Sequence, residues 1–449
     1  MANENPEKIP FEDRIERVKE ADAARALKTL REKIDQSLAA YLNACVHCGL
    51  CAESCHYYLA EKETAAMPAY KLHLVQAVFK KYFSLSGKLA SGWYGAKELD
   101  REQIKGWIDN LFGRCSLCGR CTINCTVGIN ISQVIHAGRS ALAAIDLVPP
   151  ELQATVDTAL SSGNNMGITQ SDWLETISWL TDELRQEVGD DGATMPINEK
   201  NVKYLYTVNP REPKFFPLSL VAAAKIFYAA GESWTYSSDY YDVTNYGYFS
   251  GDDNAADTIS RRLVNAVHSL GAKGLILGEC GHGFSANRWD GPEWAGEEYG
   301  FEVKSIIQVI ADYIRTGRIK LDPSRNKKTV TLHDPCNLVR LGGIIEEPRL
   351  ILRNAVENFV EMSPNREKNY CCGGGGGQLS MTRYARRRLD AGRIKADQIR
   401  ATGAKVVVAP CHNCIDQLSE LNREYRLGVE IKSIAEVVAE AVILPGNKN

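Results

Sequence analysis

The chain is notable first for what it lacks. It has no excess of either charge: 53 Lys and Arg against 56 Asp and Glu leave a net charge of -3, which gives no general reason for a nucleic-acid partner. No apolar run reaches the ~20 residues that span a bilayer. The longest, FFPLSLVAAAKIFYAAG at 215–231, is interrupted by Lys225 and reads as a buried helix. The opening MANENPEKIPFEDR has no basic stretch followed by an apolar one, so a cytoplasmic chain is expected, with any membrane attachment supplied by another subunit. Nor does a G-x-G-x-x-G join a strand to a helix; the glycine run at 373–377 follows two cysteines instead, which argues against a dinucleotide site.

Cysteine, by contrast, is plentiful. Of the 14, eight lie before residue 126 and six after residue 279. In a reducing compartment such thiols are not expected to pair as disulfides, and metal is the first alternative. The first group, CVHCGLCAESCH, holds Cys45, Cys48, Cys51 and Cys55; the second, CSLCGRCTINCT, holds Cys115, Cys118, Cys121 and Cys125. Both read C-x2-C-x2-C-x3-C. Three thiolates spaced by three wrap three corners of an iron-sulfur cube, and the fourth cysteine normally serves the other cube. That pattern assigns Cys45, Cys48, Cys51 and Cys125 to one 4Fe-4S cluster, and Cys115, Cys118, Cys121 and Cys55 to a second. Zinc is the competing occupant, but its ligands usually come as two separated C-x2-4-C pairs. The proline that commonly follows the fourth cysteine is replaced by His56 and Thr126, with His56 read as a loop residue.

Helical periodicity surrounds these groups. Pro68 opens a helix over 68–83 with Leu72, Val75, Val78 and Phe79 on one face, and a second is expected over 99–112. A capped amphipathic helix over 171–184 is built on Trp173, Leu174, Ile177 and Leu184; the turn-rich 189–201 marks a domain boundary. Beyond it one design occurs twice. GAKGLILGECGHG at 271–283 matches GAKVVVAPCHNC at 403–414, and GFEVKSIIQVIADYI at 300–314 matches GVEIKSIAEVVAEAV at 428–442. Two related α/β units are expected. The expected organisation is an N-terminal helical extension (1–40), an α-helical domain with two clusters (41–190), and two half-domains (200–320 and 325–445), in an α+β multidomain fold.

The second half carries Cys336, then Cys371 and Cys372, then Cys411 and Cys414, as C-x34-CC-x38-C-x2-C; the first keeps only Cys280, followed by His282. Whether Cys280 matches Cys411 or His412 is left open by a one-residue gap. This series resembles the CCG domain of heterodisulfide reductase B and D type subunits. Joined to two ferredoxin-type motifs, it is similar to the D type, and the single intact CCG half is most similar to DsrK-type subunits and their Hmc and Tmc relatives from sulfate-reducing bacteria. The helical part resembles the α-helical ferredoxin domain of respiratory iron-sulfur subunits.

The resemblance implies a non-cubane 4Fe-4S cluster at Cys336, Cys371, Cys372, Cys411 and Cys414, facing a disulfide or trisulfide. It also implies a membrane cytochrome b-type or quinone-interacting partner, a peripheral location on the inner face of the cell membrane, and a small sulfur carrier or disulfide as substrate. Glycines 373–377, Gly373 and Gly374 first, are expected to turn backbone N–H groups toward an anionic cluster. His333 and His412 flank cluster cysteines and are candidate proton donors, or else core histidines; Cys280 and His282 either face substrate or fill the pseudo-twofold position. The basic run 383–395 is expected to be a solvated face, the alternatives being receipt of an anionic partner or offset of the cluster's charge, and the aromatic cluster from Phe227 to Phe249, with Trp234, Tyr240 and Tyr241, is expected to be core and inter-domain packing, the alternative being a substrate entrance. Two rival functions stay open: a wire subunit of a flavin-dependent glycolate or lactate oxidising complex, and a zinc-stabilised scaffold.

Overall fold

The computed structural model describes residues 10–89 and 92–445; the first nine residues of the expected extension lie outside them. Up to Val188 the described chain is helical. Side chains of Asp35, Asp100 and Asn130 accept N–H groups at the starts of Gln36–Ala44, Arg101–Trp107 and Ile131–Ala143, satisfying donors the helices leave free. Pro68–Phe83 begins on its proline and buries Leu72, Val75, Val78 and Phe79. The helix after Asp100 is shorter than expected, because Ile108–Phe112 winds into a π turn. Phe11, Ile15 and Leu30 share one core with Val75, Trp107 and Leu142, so the segment before residue 41 packs as part of this helical body.

The helix expected at 171–184 runs over Gln170–Val188 and is capped by Thr169. Its buried face is Trp173, Ile177, Leu180 and Leu184, while Leu174 is 39 % exposed. A step of four then three then four residues carries one stripe along a 3.6-residue helix, and Leu174 falls off that stripe.

The remainder alternates strands and helices. β1 (Tyr204–Thr207), β2 (Trp234–Thr235), β3 (Gly274–Leu277) and β4 (Glu302–Ser305) form a parallel sheet in the order β2-β1-β3-β4. A short β5 (Lys320–Leu321) follows. β6 (Val330–Leu332), β7 (Phe359–Val360), β8 (Val406–Val408) and β9 (Glu430–Lys432) make a second parallel sheet, in the order β7-β6-β8-β9. β10 (Val442–Ile443) returns antiparallel to β5 and ties the chain's end to the link between the sheets. The central strands YLYT, GLIL, VTL and VVV are wholly buried, as expected where helices cover both faces of a parallel sheet. The repeated G-x-E-x-K-S-I has a local cause: each copy is an outer strand whose serine, Ser305 or Ser433, caps the next helix in a capping box with Gln308 or Glu436.

In both sheets the chain leaves the first and third strands in opposite directions. This opens a crevice at their carboxyl ends, where open α/β sheets bind ligands. The apolar run at 215–231 forms the helix Leu218–Ala230 inside the core. Among the described residues no helix is long and apolar enough to cross a membrane.

Candidate metal centres

The two N-terminal cysteine loops share one backbone shape. The residues two and four places after the first cysteine are left-handed in both: His47 (φ 55°) and Gly49 (φ 82°), Leu117 (φ 52°) and Gly119 (φ 70°). Such turns point N–H groups inward, and Leu117 N–H lies 3.4 Å from Cys115 Sγ. Cys45, Cys48, Cys51 and Cys125 line one pocket; Cys55, Cys115, Cys118 and Cys121 line another. Each loop thus contributes its fourth cysteine to the other's pocket. Cys48 is exposed, whereas the second pocket lies deeper and receives the buried Lys71, whose Nζ is 3.8 Å from Cys55 Sγ. His56 is not a loop residue. It starts the helix His56–Glu61, buried against the second pocket.

The third group sits at the crevice of the second sheet. Cys336 follows β6 and opens the short helix Cys336–Val339; Cys411 follows β8 and precedes the helix His412–Tyr425, whose first turn holds Cys414. Cys371 and Cys372 enter on the glycine turn. Cys336 and Cys371 place their sulfurs 4.0 Å apart, and Cys372 and Cys414 theirs 3.5 Å apart. All five are buried.

The glycines divide their work. N–H groups of Gly373 and Gly374 lie 3.3 and 3.4 Å from the sulfurs of Cys371 and Cys372. Gly376 instead lies against the second cysteine loop: at φ 64°, a Cβ there would fall 2.6 Å from the carbonyl carbon of Ser116. That contact joins the two regions, and Ser116 Oγ donates to Cys371 Sγ at 3.5 Å. Arg139, fully buried, donates to the carbonyls of Leu111, Cys115, Phe249 and Gly376, pinning the helical body, the first α/β unit and the glycine turn together. Arg340 does the same between Cys118 O (2.7 Å) and Asn369 O (2.6 Å). Neither arginine was foreseen. Arg139 has a sequence signal, since it stands between Ile135 and Leu142 on an apolar helical stripe.

The crevice of the first sheet faces the third group. His282 and Phe249 line one cavity with Cys336, Cys372, Cys411 and Cys414. Cys280 Sγ lies 3.3 Å from His282 Nδ1. Burial lowers the His282 pKa to about 3, so its ring is neutral. His333 is buried with Cys372 and Cys414, the three offering ligand atoms within 4.8 Å of one another, a grouping that also suits a single metal ion. Burial holds its pKa well below the usual imidazole value. His412 turns the other way: Nε2 is 3.2 Å from Glu212 Oε2, and although burial opposes charge, Glu212 and then Glu279 raise its pKa to about 9.

Glu212 and Glu279 were missed because they belong to the unit with one cysteine. Glu279 accepts the N–H groups of Ile434 and Ala435 at 3.0 and 2.8 Å, and its backbone carbonyl accepts His412 N–H. The basic run is not simply a solvated face. Arg388 and Lys395 are buried, and burial lowers the Lys395 pKa to about 7 against the opposing charges of Asp334, Cys372 and Cys371. Trp234 and Tyr241 are core residues, Tyr241 stacking on Trp173 at 4.0 Å.

Several buried polar atoms around these cysteines have no partner among the described residues: His56 Nε2, His282 Nε2, both ring nitrogens of His333, His412 Nδ1 and Arg340 Nη2. Thiolate sets ringed by unsatisfied polar groups, donors among them, suit anionic iron-sulfur groups.

The comparisons agree with that chemistry. Residues 41–129 match the 4Fe-4S dicluster domain, and residues 330–419 the cysteine-rich CCG domain. The Hdr-like menaquinol oxidoreductase iron-sulfur subunit of Archaeoglobus profundus is 29% identical, over 93% of this chain and 83% of its own length. The D-type subunit of the heterodisulfide reductase of Methanosarcina barkeri, named as acting with dihydromethanophenazine and CoB--CoM, is 28% identical over 89% of this chain and 94% of its own. The EtfAB:quinone oxidoreductase of Syntrophomonas wolfei is 22% identical over 89% of this chain and 58% of its own length. With its paired cysteine loops followed by the five-cysteine crevice, the chain joins a region matching the 4Fe-4S dicluster domain to one matching the cysteine-rich CCG domain, and over most of its length it is similar to Hdr-like iron-sulfur subunits and D-type heterodisulfide reductase subunits.

Proposed function

We propose that this chain is the iron-sulfur subunit of a membrane-associated redox complex, carrying electrons between a quinol- or haem-bearing partner and a disulfide or trisulfide. In this reading Cys45, Cys48, Cys51 and Cys125 hold one cubane 4Fe-4S cluster, and Cys55, Cys115, Cys118 and Cys121 a second. Cys336, Cys371, Cys372, Cys411 and Cys414 hold a non-cubane 4Fe-4S cluster. When bound, these clusters supply one-electron transfers. The observation that carries the proposal is the Ser116–Cys371 contact, 3.5 Å long and buried, which brings the second cysteine pocket against the third.

The chain's own residues do the rest. Arg139 and Arg340 fix the distance between the two pockets, and Gly373 and Gly374 turn their N–H groups to the sulfurs. His282 presents the unpaired Nε2 in the third cavity, where it would hold a proton or orient a sulfur substrate. Cleaving one S–S bond to two thiols consumes two electrons and two protons, and the reverse releases them, so the same residues serve either direction. The two α/β units are read as copies of one design. Their matching strand order supports this, one copy having kept the ligands and the other the walls.

The test is metal analysis with EPR on protein purified without oxygen. About twelve irons with equal sulfide are expected, four for each of three clusters. A paramagnetic signal elicited by thiol and oxidant is expected to vanish in Cys371→Ser and Cys411→Ser and to survive Cys45→Ser. A few zincs without sulfide would sink the proposal.

A further inference from the structure

We propose that Tyr57 is a positioning residue for the second cysteine site, its hydroxyl donating a hydrogen bond to a sulfur held there and so raising the reduction potential of that centre. The inference rests on reading Cys55, Cys115, Cys118 and Cys121 as cluster ligands.

Tyr57 follows Cys55 by two residues, in the first turn of His56–Glu61, and is fully buried. It lines the pocket formed by those four cysteines. Its hydroxyl has no partner among the described residues. A buried hydroxyl without an acceptor is costly, so a native structure that keeps one calls for a partner outside the protein atoms. Ala66 and Ala391 pack against the ring with Cys55 beside them, and Lys71 Nζ, 5.5 Å from the ring centre, is itself a donor.

The tyrosine also lies toward the third site. Ala391 is followed by Gly392, where a Cβ would come within 3.3 Å of Cys372 O. A tyrosine hydroxyl ordinarily titrates near pKa ~10, so at neutral pH it carries its proton and can donate it. A hydrogen bond to sulfur favours the more negative, reduced state and therefore raises the potential. The Phe variant keeps the ring and the packing and removes only the donor.

The experiment is an EPR-monitored potentiometric titration of the full-length, cluster-loaded protein. Tyr57→Phe is expected to keep its iron and sulfide while the second centre becomes harder to reduce by about tenfold, a fall of about 59 mV for one electron. The first centre, at Cys45, Cys48, Cys51 and Cys125, is the internal control and stays where it was. An unmoved second midpoint, or equal movement of both, overturns the proposal. Should Tyr57→Phe fail to load iron, wild-type protein grown on ring-fluorinated tyrosine decides. Its more acidic phenols are stronger donors, so the second midpoint rises alone, and no movement again overturns the idea. Wild-type protein without iron at the second site would instead defeat the cluster assignment beneath it.

Discussion

The two α/β units have the same strand order and opposite chemistry. In the second, the crevice between β6 and β8 is filled with Cys336, Cys371, Cys372, Cys411 and Cys414; in the first, the crevice between β1 and β3 holds Cys280, His282, Glu279 and Glu212. The units meet crevice to crevice. His412 N–H donates to Glu279 O, Asn209 Nδ2 donates to Asn413 Oδ1 at 3.2 Å, and Gly281 lies so near Leu338 N that a Cβ would stand 3.1 Å from it. One scaffold therefore serves two purposes. The crevice without the five-cysteine set supplies fixed hydrogen-bonding groups and a roof, Phe249 and His282, for the crevice that has it.

The sharpest way to break this comparison is to remove one cysteine from each unit. Cys372→Ser is expected to lose the third cluster, about four irons of twelve, together with its thiol-induced EPR signal. Cys280→Ser is expected to keep both, since Cys280 contacts His282 and lies outside the Cys372–Cys414 pairing. Equal iron loss in the two variants would make Cys280 a ligand and end the division of labour.

A smaller effect separates the units by pH. Asp242, beside β1 through its bridge to Val208, is buried, and burial raises its pKa to about 7 even though N–H groups of Thr244 and Asn165 donate to it and pull the other way. The folded state thus holds a proton that the unfolded chain releases near pH ~4. Stability from this group is complete below that value and is lost as pH rises to about 7, by an amount on the order of a few kcal/mol. Denaturant titrations from pH 4 to 8 should show the decline, and Asp242→Asn should flatten it while lowering stability throughout, because an amide NH2 must then face one of those two donors. A slope that survives the substitution would assign the effect elsewhere.

Much of this was legible where the chemistry is local. Cysteine spacing named the two N-terminal sets, and the pocket geometry groups Cys125 with the first set and Cys55 with the second. The repeated G-x-E-x-K-S-I encodes a strand end and a helix cap, both short-range features. Contacts made across the chain were not legible. Lys395 belongs by sequence to a basic run, yet its helix turns it inward to Asn369, while Arg386 on the same helix pairs with Asp390 and Glu424 in solvent. Glu212 carries no motif, and its role depends on a histidine two hundred positions later. The glycine run was half legible: anion-facing N–H groups follow from its composition, but its fit to Ser116 requires knowing that the dicluster domain docks there.

That fit gives the smallest and most local prediction. Gly376 and Gly428 share a left-handed φ, 64° and 66°, but differ in surroundings. Around Gly428 a Cβ meets nothing within 4 Å; at Gly376 it meets Ser116 backbone atoms at 2.6, 2.7 and 2.8 Å. Gly428→Ala therefore costs only the left-handed conformation, about 1 kcal/mol. Gly376→Ala adds a backbone clash that no rotamer relieves, for a total of about 2–4 kcal/mol, and it strikes the Ser116–Cys371 junction directly. Thermal unfolding measures the first difference. The second is read from the spin–spin broadening between the second and third centres, which should weaken in Gly376→Ala and stay as in wild type in Gly428→Ala. Equal stability loss with unchanged broadening would mean that the glycines serve the turn alone and that the two regions are held together by Arg139 and Arg340.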